Sequence, residues 1–235
     1  MLKNLVTYGF GLAIVQLLVA CGPAQQDAPM DVQQQISQTA DTATAEKIEA
    51  DTLVLVFGDS LYAGYGLAPD EGFAPDLQKA LNKAGQNVKV HNAGVSGDTT
   101  AAGLRRLDFV LDSLSRKPDL VLLGLGGNDM LRGLNPSETR ANMEAMVKKL
   151  SDRDVPVMLT GMLAPPNLGR EFVDEFNVIY PALANLYDIP LYPFFMDGVV
   201  GNPDLFLPDG IHPTAQGIDV IVGKITPKVS EALAG

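Results

Sequence analysis

The chain has 235 residues and a net charge of −11, with 46% hydrophobic and 19% charged residues. That balance fits one globular domain with a sizeable core, and an acidic excess without any basic run excludes a nucleic-acid surface. One cysteine, Cys21, and two histidines, His91 and His212, exclude an intramolecular disulfide, a zinc–thiolate cluster and a multi-histidine centre, so neither metal nor cofactor is expected.

Residues 1–20 begin with Lys3, run through an apolar segment and end "LLVAC", the outline of a signal peptide. The ending, Leu18-Val19-Ala20-Cys21, resembles the lipobox of bacterial lipoproteins. That resemblance implies a lipidated Cys21 as the new N-terminus, and so a partner in the membrane through a lipid anchor. Gly22 stands where an aspartate would retain the protein at the inner membrane. The expected place is therefore the bacterial cell envelope, on the outer membrane facing the periplasm. An uncleaved anchor and a secreted protein with an incidental cysteine are the alternatives. Residues 21–50, rich in Ala, Gln, Thr and Asp, read as the lipidated cysteine and a flexible tether, with a short helix near Glu46–Ala50 as the alternative. Residues 51–235 are the domain.

Within it, apolar runs alternate with helical patterns. Strands are predicted at Thr52–Phe57, Asn87–Asn92, Asp119–Gly126, Val155–Met162 and Ile189–Phe194. Helices are predicted near 72–84, 99–116, 137–152, 170–187 and 213–233. Five continuous apolar strands with crossover-length helices predict an α/β fold, a parallel sheet covered on both faces. In such sheets active groups collect after the carboxyl ends of strands. "GDSLYAGYGL" follows the first strand, "NAGVSGDTT" the second, "GGNDMLRG" the third and "LAPPNLGRE" the fourth, while "PDGIHPTAQG" enters the last helix.

Ser60 needs a base to take its proton, and the base needs a carboxylate to fix its tautomer. Asp209 and His212 are three apart in "DGIHP", close enough in a turn to bring the carboxylate to Nδ1, with Pro213 fitting the first helical turn. Oxyanion donors are available at Gly97, whose N–H has no side chain to block it, at the Asn128 amide and at the Ser60 N–H.

With these residues in order, the chain resembles the SGNH hydrolases, also called GDSL esterases. Their four blocks stand here as Gly58-Asp59-Ser60, Gly97, Gly126-Gly127-Asn128-Asp129 and Asp209-Gly210-Ile211-His212. "LGGNDMLRG", "IYPALA", "PLYPFFM" and "DGIHP" are most similar to the bacterial multifunctional thioesterase/lysophospholipase/arylesterase branch. The resemblance implies a Ser60–His212–Asp209 triad, an oxyanion hole of Ser60, Gly97 and Asn128, and a flavodoxin-like three-layer α/β/α sandwich with a five-stranded parallel sheet. It implies hydrolysis of small acyl or aryl esters, with thioesters and lysophospholipids beside them, through an acyl-serine intermediate. A carbohydrate O-deacetylase and a non-catalytic envelope lipoprotein on the same fold are the alternatives. The loop carrying Leu163, Pro165, Pro166 and Leu168 corresponds to the segment that contacts acyl chains in that branch, where a single proline is more usual.

Other residues take plainer readings. His91 is structural, and Ser96 is loop polarity because it has no histidine–carboxylate partner in sequence. Asp59, Asp98 and Asp129 hold loop amides. Arg105, Arg106 and Arg132 read as a solvated face, with orienting an anionic substrate as the alternative. Tyr62 and Tyr65 line a cleft rim or cover the first helix. The sequence sets no oligomeric state.

Overall fold

The computed structural model describes residues 50–234. The signal peptide, Cys21 and the tether up to residue 49 lie outside the described residues. The core is a sheet of five parallel strands: β1 (Thr52–Gly58), β2 (Val88–Asn92), β3 (Leu120–Gly124), β4 (Val157–Thr160) and β5 (Leu191–Tyr192). Their order is β2-β1-β3-β4-β5.

Each central strand alternates its side chains between two apolar layers. Val54, Val56, Leu120, Leu122 and Met158 point to one side, and Leu55, Phe57, Val121, Leu123 and Leu159 to the other. The strands therefore read as continuous apolar runs although the pleat still has its period of two. The first layer is covered by α2 (Phe73–Lys83) and α8 (Ala215–Ala234), through Leu77, Leu81, Ile221 and Ile225. The second is covered by α3 (Thr100–Ser113), α5 (Pro136–Asp152), α6 (Arg170–Asn177) and α7 (Ile179–Tyr187), through Leu107, Met146, Phe176 and Leu183. Full burial of one such side chain contributes about 1.5–3 kcal/mol. The result is the α/β/α sandwich expected from the sequence. No helix among the described residues is long and apolar enough to cross a membrane.

Four local differences from the sequence reading have physical causes. The single helix expected over 170–187 is two, broken at Val178. Pro181 has no N–H for the carbonyl of residue 177, and its ring crowds that carbonyl, so the helix restarts one turn upstream of the proline. β5 keeps only two of six expected residues because Pro190 and Pro193 flank it and cannot donate to the ladder. The last helix begins at Ala215, not at Pro213, because the Thr214 hydroxyl caps it by accepting the Gly217 N–H. Pro213 instead bridges antiparallel to Phe206. Two helices, α1 (Ser60–Ala63) and α4 (Gly127–Leu131), are too short to leave a periodic signal in the sequence.

Candidate active site

The sheet order reverses direction between β1 and β3, so the segments that leave these neighbouring strands part and open a crevice at their carboxyl ends. Ser60 leaves β1 and Asn128 leaves β3 at this place. The Asp59 carboxylate caps α1 by accepting the Leu61 N–H at 3.0 Å, and Gly64, at φ +78°, ends that helix after one turn. Ser60 is thereby held at the head of a single turn.

His212 reaches it from 152 residues away. The His212 Nε2 lies 2.8 Å from Ser60 Oγ, and His212 Nδ1 lies 2.7 Å from Asp209 Oδ2. The carboxylate faces Nδ1, so Nδ1 carries the proton and Nε2 is left to accept from the serine hydroxyl. Asp209 Oδ1 also accepts the N–H groups of Ile211 and His212, at 2.9 and 3.0 Å. These donors, led by the His212 N–H, hold its carboxyl down at about 2. The Leu207 N–H donates to His212 O at 2.8 Å and closes the loop on itself.

Three candidate donors belong to residues that line one cleft. The Ser60 and Gly97 N–H groups donate to no group among the described residues. Gly97 has φ +84°, a backbone state that a side chain strains. Asn128 Nδ2 donates one hydrogen to Asp98 O at 3.0 Å, and only a loose 3.4 Å contact to Asp59 Oδ2 occupies the other. Asp129 anchors this turn: its Oδ2 accepts the Thr100 N–H at 2.8 Å and its Oδ1 accepts the Thr100 and Thr139 hydroxyls. Asp59 and Asp129 thus hold backbone amides, as the sequence suggested. Gly126, at φ +115°, packs against the Tyr180 hydroxyl, which donates to Leu125 O at 2.7 Å.

Ser60, Gly97, Asn128 and His212 line one cleft of about 820 Å³. Leu163, Pro165 and Pro166 line it too, with Leu131, Val200 and Ile211 at its exposed mouth. Leu168 does not: the turn Pro166–Leu168 and Gly169 carry it to a neighbouring groove beside Phe172. Tyr65 stays half exposed and lays its ring on the His212 imidazole, with centroids 4.3 Å apart. Tyr62 is no rim residue; it is buried, stacked on Phe195, with its hydroxyl on Thr160. Ser96 lines the cleft, whereas His91 is exposed on β2 and is not part of the lining. Arg105 is exposed, and exposed Arg132 donates to Gly97 O at 2.9 Å. Arg106 is mostly shielded, which the sequence reading missed because its partners are 8 and 48 residues away. No cluster of metal-ligating side chains occurs among the described residues.

A hydroxyl, an imidazole, a carboxylate and hydrogen-bond donors in the same cleft are what acyl transfer requires. The model of the GDSL-like Lipase/Acylhydrolase family matches residues 56–220. The chain belongs to this family. It is 41% identical to an arylesterase of Vibrio mimicus over 165 residues, covering 70% of this chain and 82% of the relative. It is 39% identical over 164 residues to the thioesterase 1/protease 1/lysophospholipase L1 of Escherichia coli strain K12, covering 70% of this chain and 76% of the relative. Among solved structures it is similar to AlinE4, an SGNH-hydrolase family esterase. The two are 50% identical with a TM-score of 0.67, covering 77% of this chain and 96% of the other. Membership and site agree: the protein is a serine hydrolase acting on ester bonds.

Proposed function

We propose that Ser60 is the nucleophile, His212 the general base and acid, and Asp209 the carboxylate that orients the imidazole. The 2.8 Å approach of His212 Nε2 to Ser60 Oγ carries this reading. His212 takes the hydroxyl proton as Oγ attacks the ester carbonyl carbon. The carbonyl oxygen becomes an oxyanion and receives the N–H groups of Ser60 and Gly97 and the Asn128 Nδ2 hydrogen that gives up its loose contact with Asp59 Oδ2. His212 returns the proton to the leaving alkoxide, aryloxide or thiolate as its bond to carbon breaks. Water then attacks the acyl-serine carbon and gives its proton to His212, which hands it back to Ser60 Oγ as the acid leaves.

The cleft's apolar loop, Leu163 to Pro166, suits an acyl chain or an aryl ring. The names of the relatives support thioesters and lysophospholipids as further substrates. The lipobox-like Leu18-Val19-Ala20-Cys21 supports a lipidated Cys21 holding the enzyme at the envelope, on the outer membrane facing the periplasm.

Labelling with a fluorophosphonate probe tests the chemistry. Wild type is labelled and Ser60→Ala is not; labelling that survives the substitution refutes the assignment. Hydrolysis of p-nitrophenyl acetate, butyrate and octanoate tests the substrate class. Activity on butyrate and octanoate is expected, and activity confined to acetate would favour an O-deacetylase.

A further inference from the structure

Arg106 is tied on three sides. Its Nη2 donates to Gly58 O at 2.9 Å, its Nε donates to Asp98 Oδ2 at 2.6 Å, and its guanidinium lies 3.9 Å above the Phe57 ring. The Arg106 and Asp98 side chains keep only 19% and 13% of their surface in solvent, so the pair is shielded from water. The two polar contacts lead to the three oxyanion donors. Gly58 is the last residue of β1, two before Ser60. Asp98 follows Gly97 directly, and Asp98 O is the acceptor that orients Asn128 Nδ2. Gly58 O also accepts the Val95 N–H at 3.1 Å, so the same carbonyl ties the loop after β2 to the end of β1.

We propose that Arg106 is a positioning residue that sets the spacing of the three oxyanion donors by gripping the end of β1 and the loop after β2 with one guanidinium. The proposal rests on the assignment of Ser60, Gly97 and Asn128 as those donors. An ion pair made only for stability needs Asp98 alone. The contact to Gly58 O and the onward bond from Asp98 O to Asn128 connect it to the site. A lysine carries one ammonium in place of a planar fork and cannot hold both anchors while stacking on Phe57. The guanidinium touches no reacting atom, so its effect passes entirely through geometry, where a displacement near 1 Å can change the rate about 100-fold.

The test compares Arg106→Gln, Arg106→Lys, Asn128→Ala and the Arg106→Gln/Asn128→Ala pair, with Arg105→Gln as the exposed control. It reads kcat and KM on p-nitrophenyl butyrate, and inhibition by a trifluoromethyl ketone, which forms an oxyanion on the serine. The expected result for Arg106→Gln is a kcat about 10- to 100-fold lower with KM within about twofold. Inhibitor affinity falls by the same factor, Arg106→Lys lies between, and Arg105→Gln matches wild type. In the Asn128→Ala background the Arg106 effect is smaller than in wild type, because one of the three donors it positions is gone. A folded Arg106→Gln enzyme with wild-type kcat overturns the proposal. So does a loss of rate without loss of inhibitor affinity, or a loss that multiplies in full with Asn128→Ala. If Asn128→Ala keeps wild-type kcat, the donor assignment fails and takes the proposal with it. If Asn128→Ala loses activity while Arg106→Gln does not, only the proposal fails. Should Arg106→Gln not fold, Arg106→Lys and Asp98→Asn carry the same comparison.

Discussion

Asp209 spends Oδ1 on two backbone N–H groups and Oδ2 on the imidazole, while its side chain keeps 35% of its surface in solvent. Water screens its charge, so its main service is to hold the ring and its tautomer. Asp209→Asn is expected to lower kcat by about 10²–10³, less than the ~10⁴ loss when a buried triad acid is replaced; steady-state kinetics decide. Its carboxyl is held at about 2, below its ordinary 3.8, so its contribution to stability is present above pH ~4 and is lost as pH falls toward 2. Asp59 behaves in the opposite sense. Burial pushes its carboxyl from 3.8 up to about 6, so ionising it in the folded state opposes folding. Stability through this group is highest below pH ~4 and declines as pH rises to 6. Asp59→Asn keeps an acceptor for the Leu61 N–H and removes the charge. Its unfolding free energy, compared with wild type from pH 4 to pH 7, should gain with rising pH, by up to about 3 kcal/mol. A constant difference would contradict the burial argument. Asp209 and His212 were legible because they are three apart in a chain with two histidines. Asp59's burial and Arg106's grip were not, since both depend on partners that only the fold brings near.

The break between α6 and α7 has a use. Asn177 ends α6, and its Oδ1 accepts the Ala164 N–H at 2.7 Å. That bond ties the cleft loop to the helix. Ala164 is buried, so Asn177→Ala leaves its N–H unpaired at about 1–3 kcal/mol. The expected outcome is a lower melting temperature and a KM for p-nitrophenyl octanoate raised about fivefold, with the acetate little changed. Equal effects on both esters would show that the loop does not hold the chain. The proline that causes the break is plain in "NVIYPALA", since a helix fails at the carbonyl four residues before it. Helices with a long apolar stripe were placed to within about three residues at each end, inside the usual boundary scatter. The one-turn helices after β1 and β3 were not, because four or five residues carry no period.

At the scale of the molecule, the strand order decides the site, because it sets Ser60 and Asn128 in the segments that part as they leave adjacent strands β1 and β3. Local pattern cannot give that order, since pairing is between residues 30 or more apart, such as Val54 with Val90; the flavodoxin-like arrangement came from the resemblance alone. All proposed catalytic groups lie beyond Asp51, so the proposed anchor and the chemistry are separable in the sequence. Cys21→Ser is expected to move the protein from the membrane fraction to the soluble fraction with kcat/KM on p-nitrophenyl butyrate unchanged. Unchanged fractionation would contradict the lipid anchor. The brevity of β5 has a further consequence. Its two residues sit between prolines, so that border exposes almost no row of amides on which a foreign strand could grow. On the opposite border β2 turns Lys89 and His91 outward. On the proposed lipid anchor the protein would meet copies of itself constantly, and a sheet with one border blunted and the other charged gives fibril growth little to copy.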